Sequence, residues 1–209
     1  GYHTPLQPSL LGEDDLLRVN AFDWTAEFSA VMSGGGFDAI FGNPPYIRIQ
    51  VLKEWAPLEV ELYKDLYRAG RKGNYDIYVV FVEKALQLLN ERGRLGFILP
   101  HKFFNAKYGE PLRGLIAEGR NLKKVVHFGD QQIFAGATTY TCLLFMEKQP
   151  QSTFRFVQVR DLESWRTGAL QPSSDIDLDR VSPKEWSFSV GAGASIRDRL
   201  SEAFPSLGA

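Results

Sequence analysis

The 209-residue sequence contains one cysteine, so no disulfide can form within the chain. Cys142 lies in the apolar stretch YTCLLF, where a small buried core residue is expected, and a chain without disulfides is typical of a reducing cytoplasm. The sequence also lacks a recognisable signal peptide and any apolar run long enough to cross a membrane. These absences predict a cytoplasmic protein without a membrane partner.

An overall excess of positive charge is absent too, since 24 Lys and Arg side chains stand against 25 Asp and Glu side chains. The charges are nevertheless unevenly distributed. Residues 13–38 contain six acidic side chains and only Arg18, whereas residues 101–124 contain six basic side chains and two acidic ones. The basic side chains are Lys102, Lys107, Arg113, Arg120, Lys123 and Lys124. Such a segment suits contacts with nucleic-acid phosphates, and it is equally consistent with a solvated helix face.

Two kinds of acidic or metal-binding cluster are missing from the sequence. No group of His, Cys, Asp and Glu has metal-binding spacing, so no metal site is expected. No acidic cluster followed by a lysine, of the kind that nucleases use, stands out either. Any restriction activity is therefore expected to lie outside this chain.

The hydrophobic pattern predicts an α/β fold with a mainly parallel sheet. Strands are predicted at 16–20, 37–42, 94–99, 123–129 and 140–147. Helices are predicted at 24–32, 54–69, 75–90 and 108–119. The last two strands are joined by a short loop and should form an antiparallel hairpin. Because ligands of open α/β sheets bind at the carboxyl ends of the strands, the site is expected at that edge.

The helix predicted at 75–90 is expected to turn one apolar face toward the sheet. That face consists of Ile77, Val80, Phe81, Lys84, Ala85 and Leu88. Asp76 is predicted to cap the amino end of this helix, and Gly93 to cap its carboxyl end.

The strand predicted at 37–42 runs directly into Asn43-Pro44-Pro45-Tyr46. Consecutive prolines stiffen the backbone and donate no N–H, so this loop is rich in hydrogen-bond acceptors. Asn43 offers a side-chain carbonyl, the Asn43-Pro44 region offers a backbone carbonyl, and Tyr46 offers an aromatic face. This set suits a flat group with an exocyclic amine, which would donate both N–H hydrogens while its ring stacks on the tyrosine. A proline-rich turn that merely ends a strand is the alternative.

Four blocks of sequence, in order, resemble the adenine-N6 DNA methyltransferases, and more narrowly the amino-methyltransferases of type IIG restriction–modification enzymes. GFDAIFGNPPY resembles their catalytic strand and loop, and YDIYVVFVEKALQLL resembles the following helix. GRLGFILPHKFFNAKY resembles the next strand and its active-site loop, and VVHFGDQQIFAGATTYTCLLFME resembles the terminal hairpin. The resemblance covers about residues 16–150.

The resemblance implies a Rossmann-like sheet, S-adenosylmethionine as cofactor, and double-stranded DNA from which the target adenine is flipped out. The Asn43 side chain and the Pro44 carbonyl would accept hydrogen bonds from the adenine amino group, and Tyr46 would stack on one face of the base. Phe134 would pack the base from another side. The catalytic set implied is Asn43, Pro44, Pro45 and Tyr46. Cofactor contacts are implied at Asn20, Ala21, Gly42 and Asn43, and DNA contacts at Arg48, Lys102 and Lys107.

The chain departs from this family upstream of Asn43. The glycine-rich cofactor loop expected there has no match, and Asn20 stands where the family carries an acidic residue. The sheet is therefore expected to lack its first strands. Residues 1–150 would be the C-terminal part of the methyltransferase domain, and 151–209 an extra strand and a connector toward an absent specificity domain. This piece is expected to be inactive without the missing upstream segment.

Within the tail, a strand is predicted at 153–159, an extended connector at 171–186 and a short helix near 194–203.

Further predictions concern individual residues at the predicted active-site edge. His101 is expected to be a loop residue that contacts substrate or backbone, and His127 to be structural. One of Phe103 and Phe104 is expected in the core and the other beside the DNA pocket.

Other functions stay open from the sequence. The same tetrapeptide occurs in enzymes resembling release-factor glutamine methyltransferases and in RNA methyltransferases. The long segment 47–74 and the hairpin with Phe134 favour DNA, because a glutamine amide needs no second stacking aromatic. A non-catalytic DNA-binding module that kept the fold and lost the cofactor is the third possibility.

Overall fold

The computed structural model describes residue 19 and residues 21–134 and 140–190. Six strands form one sheet in the order β1-β2-β4-β3-β5-β6. The strands are β1 (Phe37–Gly42), β2 (Leu89–Pro100), β3 (Leu122–His127), β4 (Thr141–Glu147), β5 (Thr153–Gln158) and β6 (Ser173–Asp177). The helices are α1 (Trp24–Glu27), α2 (Ser29–Ser33), α3 (Ile49–Trp55), α4 (Pro57–Leu66), α5 (Tyr78–Leu88), α6 (Glu110–Gly119) and α7 (Leu162–Arg166). Short 3₁₀ turns lie at Arg68–Gly70, His101–Phe104, Lys107–Gly109 and Leu178–Arg180.

The sheet is mixed, so the expectation of a mainly parallel sheet is wrong. β1 pairs with β2, and β3 with β5, in parallel, whereas the other three neighbouring pairs are antiparallel. The predicted antiparallel hairpin of β3 and β4 is confirmed, and β4 folds back between β2 and β3. β4 is a central strand with an almost continuous apolar sequence, and all of its residues except Phe145 are buried or half-buried.

One face of the sheet carries the main core. Alternate residues of β2, namely Leu95, Phe97 and Leu99, are buried on this face, because successive strand side chains point to opposite sides. The same holds for Cys142, Leu144 and Met146 of β4, so the buried role predicted for the cysteine is confirmed. Helices α3 to α6 cover this face with their apolar residues.

The opposite face carries a smaller cluster. Val126, Phe128, Val157 and Val159 are buried there, and Trp165 of α7 packs edge-on against Phe128 with ring centroids 5.1 Å apart. Strand β5 matches the strand predicted at 153–159. The predicted connector at 171–186 contains β6 and a 3₁₀ turn, because β6 pairs antiparallel with β5.

Several predicted helix boundaries are corrected. The helix predicted at 24–32 breaks at Phe28 into α1 and α2. The one predicted at 54–69 is two helices, since α3 ends at Trp55 and Pro57 starts α4, where a missing N–H costs nothing. The predicted strand at 16–20 and the predicted helix near 194–203 lie outside the described residues.

Helix α5 differs most from its prediction. It ends at Leu88 and the chain enters β2 at once, so Gly93 is a strand residue rather than a cap. A Cβ at Gly93 would lie 2.8 Å from the Phe37 carbonyl oxygen, so close packing explains the glycine. Phe81, predicted to face the sheet, is 40% exposed, whereas Tyr78 and Val79 are fully buried. The helix is buried on a second side because α6 and the Arg68–Gly70 turn also contact it.

Candidate active site

The Asn43–Tyr46 loop leaves the sheet at the carboxyl end of β1, as predicted. Asn43 is exposed, Pro44 is buried, and Pro45 and Tyr46 are half-buried. Within the described residues, the Asn43 side chain has no hydrogen-bond partner. The loop therefore combines a backbone held by buried proline with an amide that is free to bind another molecule.

Tyr46 is fixed at both its hydroxyl and its ring. Its Oη donates a hydrogen bond to the Ile98 carbonyl oxygen of β2 at 3.1 Å. Its ring meets the fully buried ring of Tyr78 edge-on, with centroids 6.3 Å apart. Burial raises the pKa of Tyr46 to about 12, so its hydroxyl stays a neutral donor at physiological pH. These contacts set the orientation of the ring before any ligand arrives.

A second hydroxyl network lies directly behind Tyr46. The Tyr78 and Tyr108 hydroxyl oxygens are 3.1 Å apart, and Tyr108 Oη donates to Asp76 Oδ2 at 3.4 Å. The predicted capping role of Asp76 is wrong, because α5 begins one residue later than the cap position requires and its cap residue, Ile77, makes no side-chain cap bond. Asp76 instead joins the beginning of α5 to Tyr108 on the 3₁₀ turn Lys107–Gly109.

The backbone after Tyr46 is fastened to the same region. Ile49 N donates to the Tyr75 carbonyl oxygen at 2.8 Å, and Ile77 N donates to the Ile47 carbonyl oxygen at 2.9 Å. Arg48 and Asp76 form an isolated antiparallel bridge between these bonds. The Asn43–Tyr46 loop is thus anchored at both ends, by β1 before it and by this short pairing after it.

A stacked pair of histidines, which the sequence did not reveal, lies on the same edge. The rings of His101, after β2, and His127, at the end of β3, are 4.2 Å apart and nearly parallel. Tyr140, just before β4, lies parallel to His101 at 6.3 Å. The two histidines come from strands separated by β4, so only the strand order brings them together. Each histidine follows an apolar residue in the sequence, and this local pattern does not predict that the two rings stack.

Both histidines are neutral at physiological pH. Burial lowers the pKa of His101, and burial with the neighbouring His101 lowers the pKa of His127 to about 4. His127 Nδ1 accepts a hydrogen bond from Gly129 N at 3.0 Å, which fixes the proton on Nε2. His101 Nδ1 is buried and has no partner among the described residues. His127 therefore holds the start of the hairpin loop, as its predicted structural role requires.

Phe134 lies in this hairpin loop and is half-buried. Gln131 anchors the preceding turn, because its Nε2 donates to the Val159 carbonyl oxygen at 2.8 Å. Three strand steps along the sheet separate β1 from β3, and each step is about 4.8 Å, so the strand ends lie about 14 Å apart. The space between Tyr46 and the Phe134 loop thus spans the ends of β2 and β4.

Of the residues predicted to bind cofactor, Gly42 ends β1 and Asn43 follows it directly. Gly42 and Ala21 are exposed, and Asn20 lies outside the described residues. Among the described strands, β1 pairs only with β2, so its other edge is open next to Gly42 and Asn43. An aromatic cluster lies beneath this edge, consisting of Phe22, Trp24, Phe28 and Phe37.

The fold divides the basic run at 101–124 between a loop, a helix and the start of a strand. Lys102 and Lys107 are exposed on the loop after β2, and no ion pair involves either within the described residues. Arg48 is also exposed, at the start of α3. By contrast, Lys123 pairs with Glu147 near the opposite edge. Arg113 donates to backbone carbonyls, and Arg120 both donates to the Gln151 carbonyl oxygen and pairs with Asp179.

The prediction for the two neighbouring phenylalanines is also corrected. Phe103 and Phe104 are both buried, so neither lines an open pocket. No group of three or more His, Cys, Asp or Glu side chains in the described part of the chain is arranged to hold a metal ion. None of the helices in that part is long and apolar enough to span a membrane.

The chain is 37% identical over 155 residues to the type II restriction enzyme and methyltransferase RM.Eco57I of Escherichia coli. It is 40% identical over 100 residues to the type II methyltransferase M.PaeR7I of Pseudomonas aeruginosa. These matches cover 74% and 48% of this chain, but only 15% and 17% of the relatives.

Solved structures share the fold at low sequence identity. The DrdV–DNA complex matches with a TM-score of 0.57 and 15% identity over 88% of this chain and 22% of that one. The type IIL restriction-modification enzyme MmeI, solved with DNA, matches with a TM-score of 0.53 and 14% identity over 74% of this chain and 20% of that one. The model of the Eco57I restriction-modification methylase family matches residues 10–134. The chain therefore belongs to the Eco57I restriction-modification methylase family.

Proposed function

We propose that this chain carries the base-binding half of an S-adenosylmethionine-dependent DNA adenine-N6 methyltransferase from a restriction–modification or phage-defence system. The observation that carries the proposal is the Asn43–Tyr46 loop. It joins a free amide, the backbone carbonyl of a buried proline and a fixed tyrosine ring at the carboxyl end of β1. Membership of the methylase family supports the same reaction class.

The loop would act by positioning and by electrostatics. The Asn43 side-chain carbonyl and the Pro44 carbonyl accept the two N–H hydrogens of the adenine amine, which directs its lone pair away from the ring plane. Positive charge develops on this nitrogen as the new bond forms, and the two carbonyl dipoles stabilise it. Pro45 contributes stiffness, since it fixes the loop backbone between the acceptors and Tyr46.

The aromatic residues would hold the extruded base. Tyr46 stacks on one face, and its ring needs no reorientation because Ile98 and Tyr78 already fix it. Phe134 packs from the hairpin side. Stacking of a base on an aromatic side chain is worth about 1–3 kcal/mol, which offsets much of the cost of flipping.

The cofactor would lie beside the open edge of β1. Exposed Gly42 and Asn43 meet there, and a Cβ at Gly42 would approach nothing closer than Phe97 at 3.8 Å, so the backbone is accessible. This fits a ligand that runs along the strand end, and we propose Ala21 and Asn20 as its further contacts. S-adenosylmethionine, when bound, supplies a methyl group on a positively charged sulfur.

The remaining features concern the whole protein. Lys102, Lys107 and Arg48 are exposed cations on the same edge that form no ion pair among the described residues, and they are suited to phosphates of double-stranded DNA. Two solved structures with this fold are described as DNA complexes. We propose that an upstream segment completes the cofactor site, that a downstream domain reads the sequence, and that the protein is cytoplasmic. On this account residues 1–150 belong to the catalytic domain and residues 151–209 lead out of it.

The test is tritiated methyl transfer by the parent protein extended upstream, with duplex DNA, RNA and a release factor as separate acceptors. The proposal expects label in DNA, recovered as N6-methyladenine after digestion. Label only in the release factor or only in RNA would contradict it in favour of another amine or amide substrate. Label in no acceptor would favour a non-catalytic DNA-binding module.

A further inference from the structure

Arg113 of α6 is a buried cation without a carboxylate partner among the described residues. It is 3% exposed. Its Nη1 donates to the carbonyl oxygens of Phe103 at 2.6 Å and Ala106 at 2.9 Å, and its Nε donates to the carbonyl oxygen of Pro183 at 2.8 Å. Burying a guanidinium is costly, and here three backbone dipoles compensate for it. Such a group is suited to fixing the geometry of two chain segments.

The two segments are residues 101–109, called the basic loop, and residues 181–190. The second segment overlaps the connector predicted at 171–186 and is called the connector from here on. The basic loop carries the unpaired Lys102 and Lys107. A second set of contacts ties the same two segments together. Trp186 N donates to the Phe104 carbonyl oxygen at 2.9 Å, and the Trp186 ring packs at 5.3 Å from that of Phe104. The planar guanidinium thus bonds to both segments where they already pack.

Gly109 gives independent evidence that this joint is tightly built. Its φ of −75° is ordinary, so backbone conformation does not require glycine there. A Cβ at Gly109 would lie 2.1 Å from the Phe103 carbonyl oxygen and 2.7 Å from Arg113 Nη1. Any side chain would push apart the donor and acceptor that hold the loop.

We propose that Arg113 is a positioning residue that locks the basic loop to the connector and so holds Lys102 and Lys107 in register with a DNA backbone. The role of the lock in DNA binding rests on the proposed function, whereas the lock itself does not. Its position also implies that whatever the connector leads to is joined mechanically to the loop that carries these lysines.

The test uses the full-length parent protein with Arg113→Met, Arg113→Lys and the control Arg155→Met. Arg155 pairs with Asp175 on the exposed surface of β5 and β6, far along the sheet from the loop. Hydrogen exchange is measured over residues 101–109 and over β4, together with kcat, the KM for DNA and the affinity for S-adenosylmethionine. Gly109→Ala serves as a second disruption that keeps the charge.

For Arg113→Met we expect exchange in the basic loop to rise about tenfold while β4 is unchanged, because charge-assisted hydrogen bonds are lost locally. The KM for DNA should rise about tenfold with kcat within about twofold, which is the pattern of lost binding. Arg113→Lys should be intermediate, Gly109→Ala should resemble Arg113→Met, and Arg155→Met should match wild type.

A folded Arg113→Met variant with unchanged exchange in the basic loop would overturn the lock. So would a uniform rise across loop and sheet, or a fall in kcat without a change in the KM for DNA, since either indicates general destabilisation. If Arg113→Met does not fold, Arg113→Lys and Gly109→Ala decide by the same criteria. Should the wild-type protein methylate no DNA, the proposed function fails, and loop exchange alone decides the lock.

Discussion

Charged and amide side chains at the two edges of the sheet differ in whether they have partners within the chain. At the amino edge, Glu147 pairs with both Arg94 and Lys123 at 3.3 Å, and Asn90 donates to Asp38 at 2.8 Å. At the carboxyl edge, Asn43, Lys102 and Lys107 have no such partners within the described residues. At the amino edge, the chain pairs its own charged and amide groups. At the carboxyl edge, Asn43, Lys102 and Lys107 stay available to another molecule. Function is therefore expected where the pairing stops.

The sharpest contrast is between two asparagines. Asn43→Ala in the parent protein removes the acceptor proposed for the amine, so methyl transfer should fall by at least about 100-fold, as when a single stabilising group is deleted from an active site. Asn90→Ala removes a bonded amide at the amino edge and should leave the rate within about twofold. Initial rates of tritium transfer to DNA measure both.

The proposed difference between the two edges would be contradicted if both asparagine variants kept near-normal rates, or if both lost activity together. Circular dichroism and cofactor binding provide the control, because each variant must keep the wild-type fold before its rate is interpreted. The Asn43 side chain makes no hydrogen bond within the described residues that its replacement would break.

Tyr46 should show a smaller effect that separates its ring from its hydroxyl. Tyr46→Ala removes the stacking face and should weaken base flipping by about 1–3 kcal/mol. Tyr46→Phe keeps the face and loses only the hydrogen bond to Ile98, so its cost should be about 0.5–1.5 kcal/mol. Fluorescence of 2-aminopurine at the target position reports flipping. An equal signal from wild type and Tyr46→Ala would argue against the stacking role.

Two pairs of lysines, one from each edge, test the electrostatic difference. Lys102→Gln with Lys107→Gln removes two unpaired cations, so the slope of log affinity against log salt should become shallower by about 2. Lys123→Gln with Lys124→Gln changes the same net charge at the amino edge and should leave the slope unchanged. DNA binding titrated across salt concentrations measures both. Equal changes in the two double variants would mean that only net charge matters.

The smallest effect concerns pH and the stacked histidines. The pKa of His127 is lowered from 6.5 to about 4 and that of His101 is also lowered, both mainly by burial. Between pH 6.5 and about pH 4, His127 binds a proton in the unfolded chain but stays neutral in the folded chain. The lowered pKa of His101 acts in the same direction. The stabilisation is therefore complete above about pH 6.5 and is lost as the pH falls toward about 4. Solvent screening limits it to the order of 1 kcal/mol.

Melting temperatures of the parent protein at about pH 7.5 and about pH 5 test this dependence. Wild type should lose more stability on acidification than His127→Phe, which keeps a ring in the stack but cannot take up a proton. Parallel losses in the two proteins would show that other groups cause the pH dependence.

Local sequence predicted those parts of the fold that local physics determines. Apolar runs located β1, β3, β4 and β5, and the acceptor-rich loop located the end of β1 as a candidate site. The first residues of β2, Leu89–Gly93, were assigned to a helix end because Asn90 and Gly93 are common there. Leu89 pairs with Phe37 of β1, and the register then shifts so that Arg94 pairs with Ala39, which no local pattern reports.

The features that sequence missed depend on strand order. His101 and His127 meet because β4 places the ends of β2 and β3 on one edge. The basic run divides because its residues fall on a loop, a helix and the far end of β3. Arg113 reads as a surface cation in a helical pattern, and only the packing of the basic loop and the connector makes it a buried donor.

The most direct measurement is a photocrosslink from a halogenated base placed at the target position of duplex DNA, mapped by mass spectrometry in the parent protein. The account predicts crosslinks to the peptide containing Tyr46 or the one containing Phe134, and their loss in Tyr46→Ala or Phe134→Ala respectively. Crosslinks to the amino edge instead, around Phe145 or Lys123, would contradict the assignment of the base pocket to the carboxyl edge.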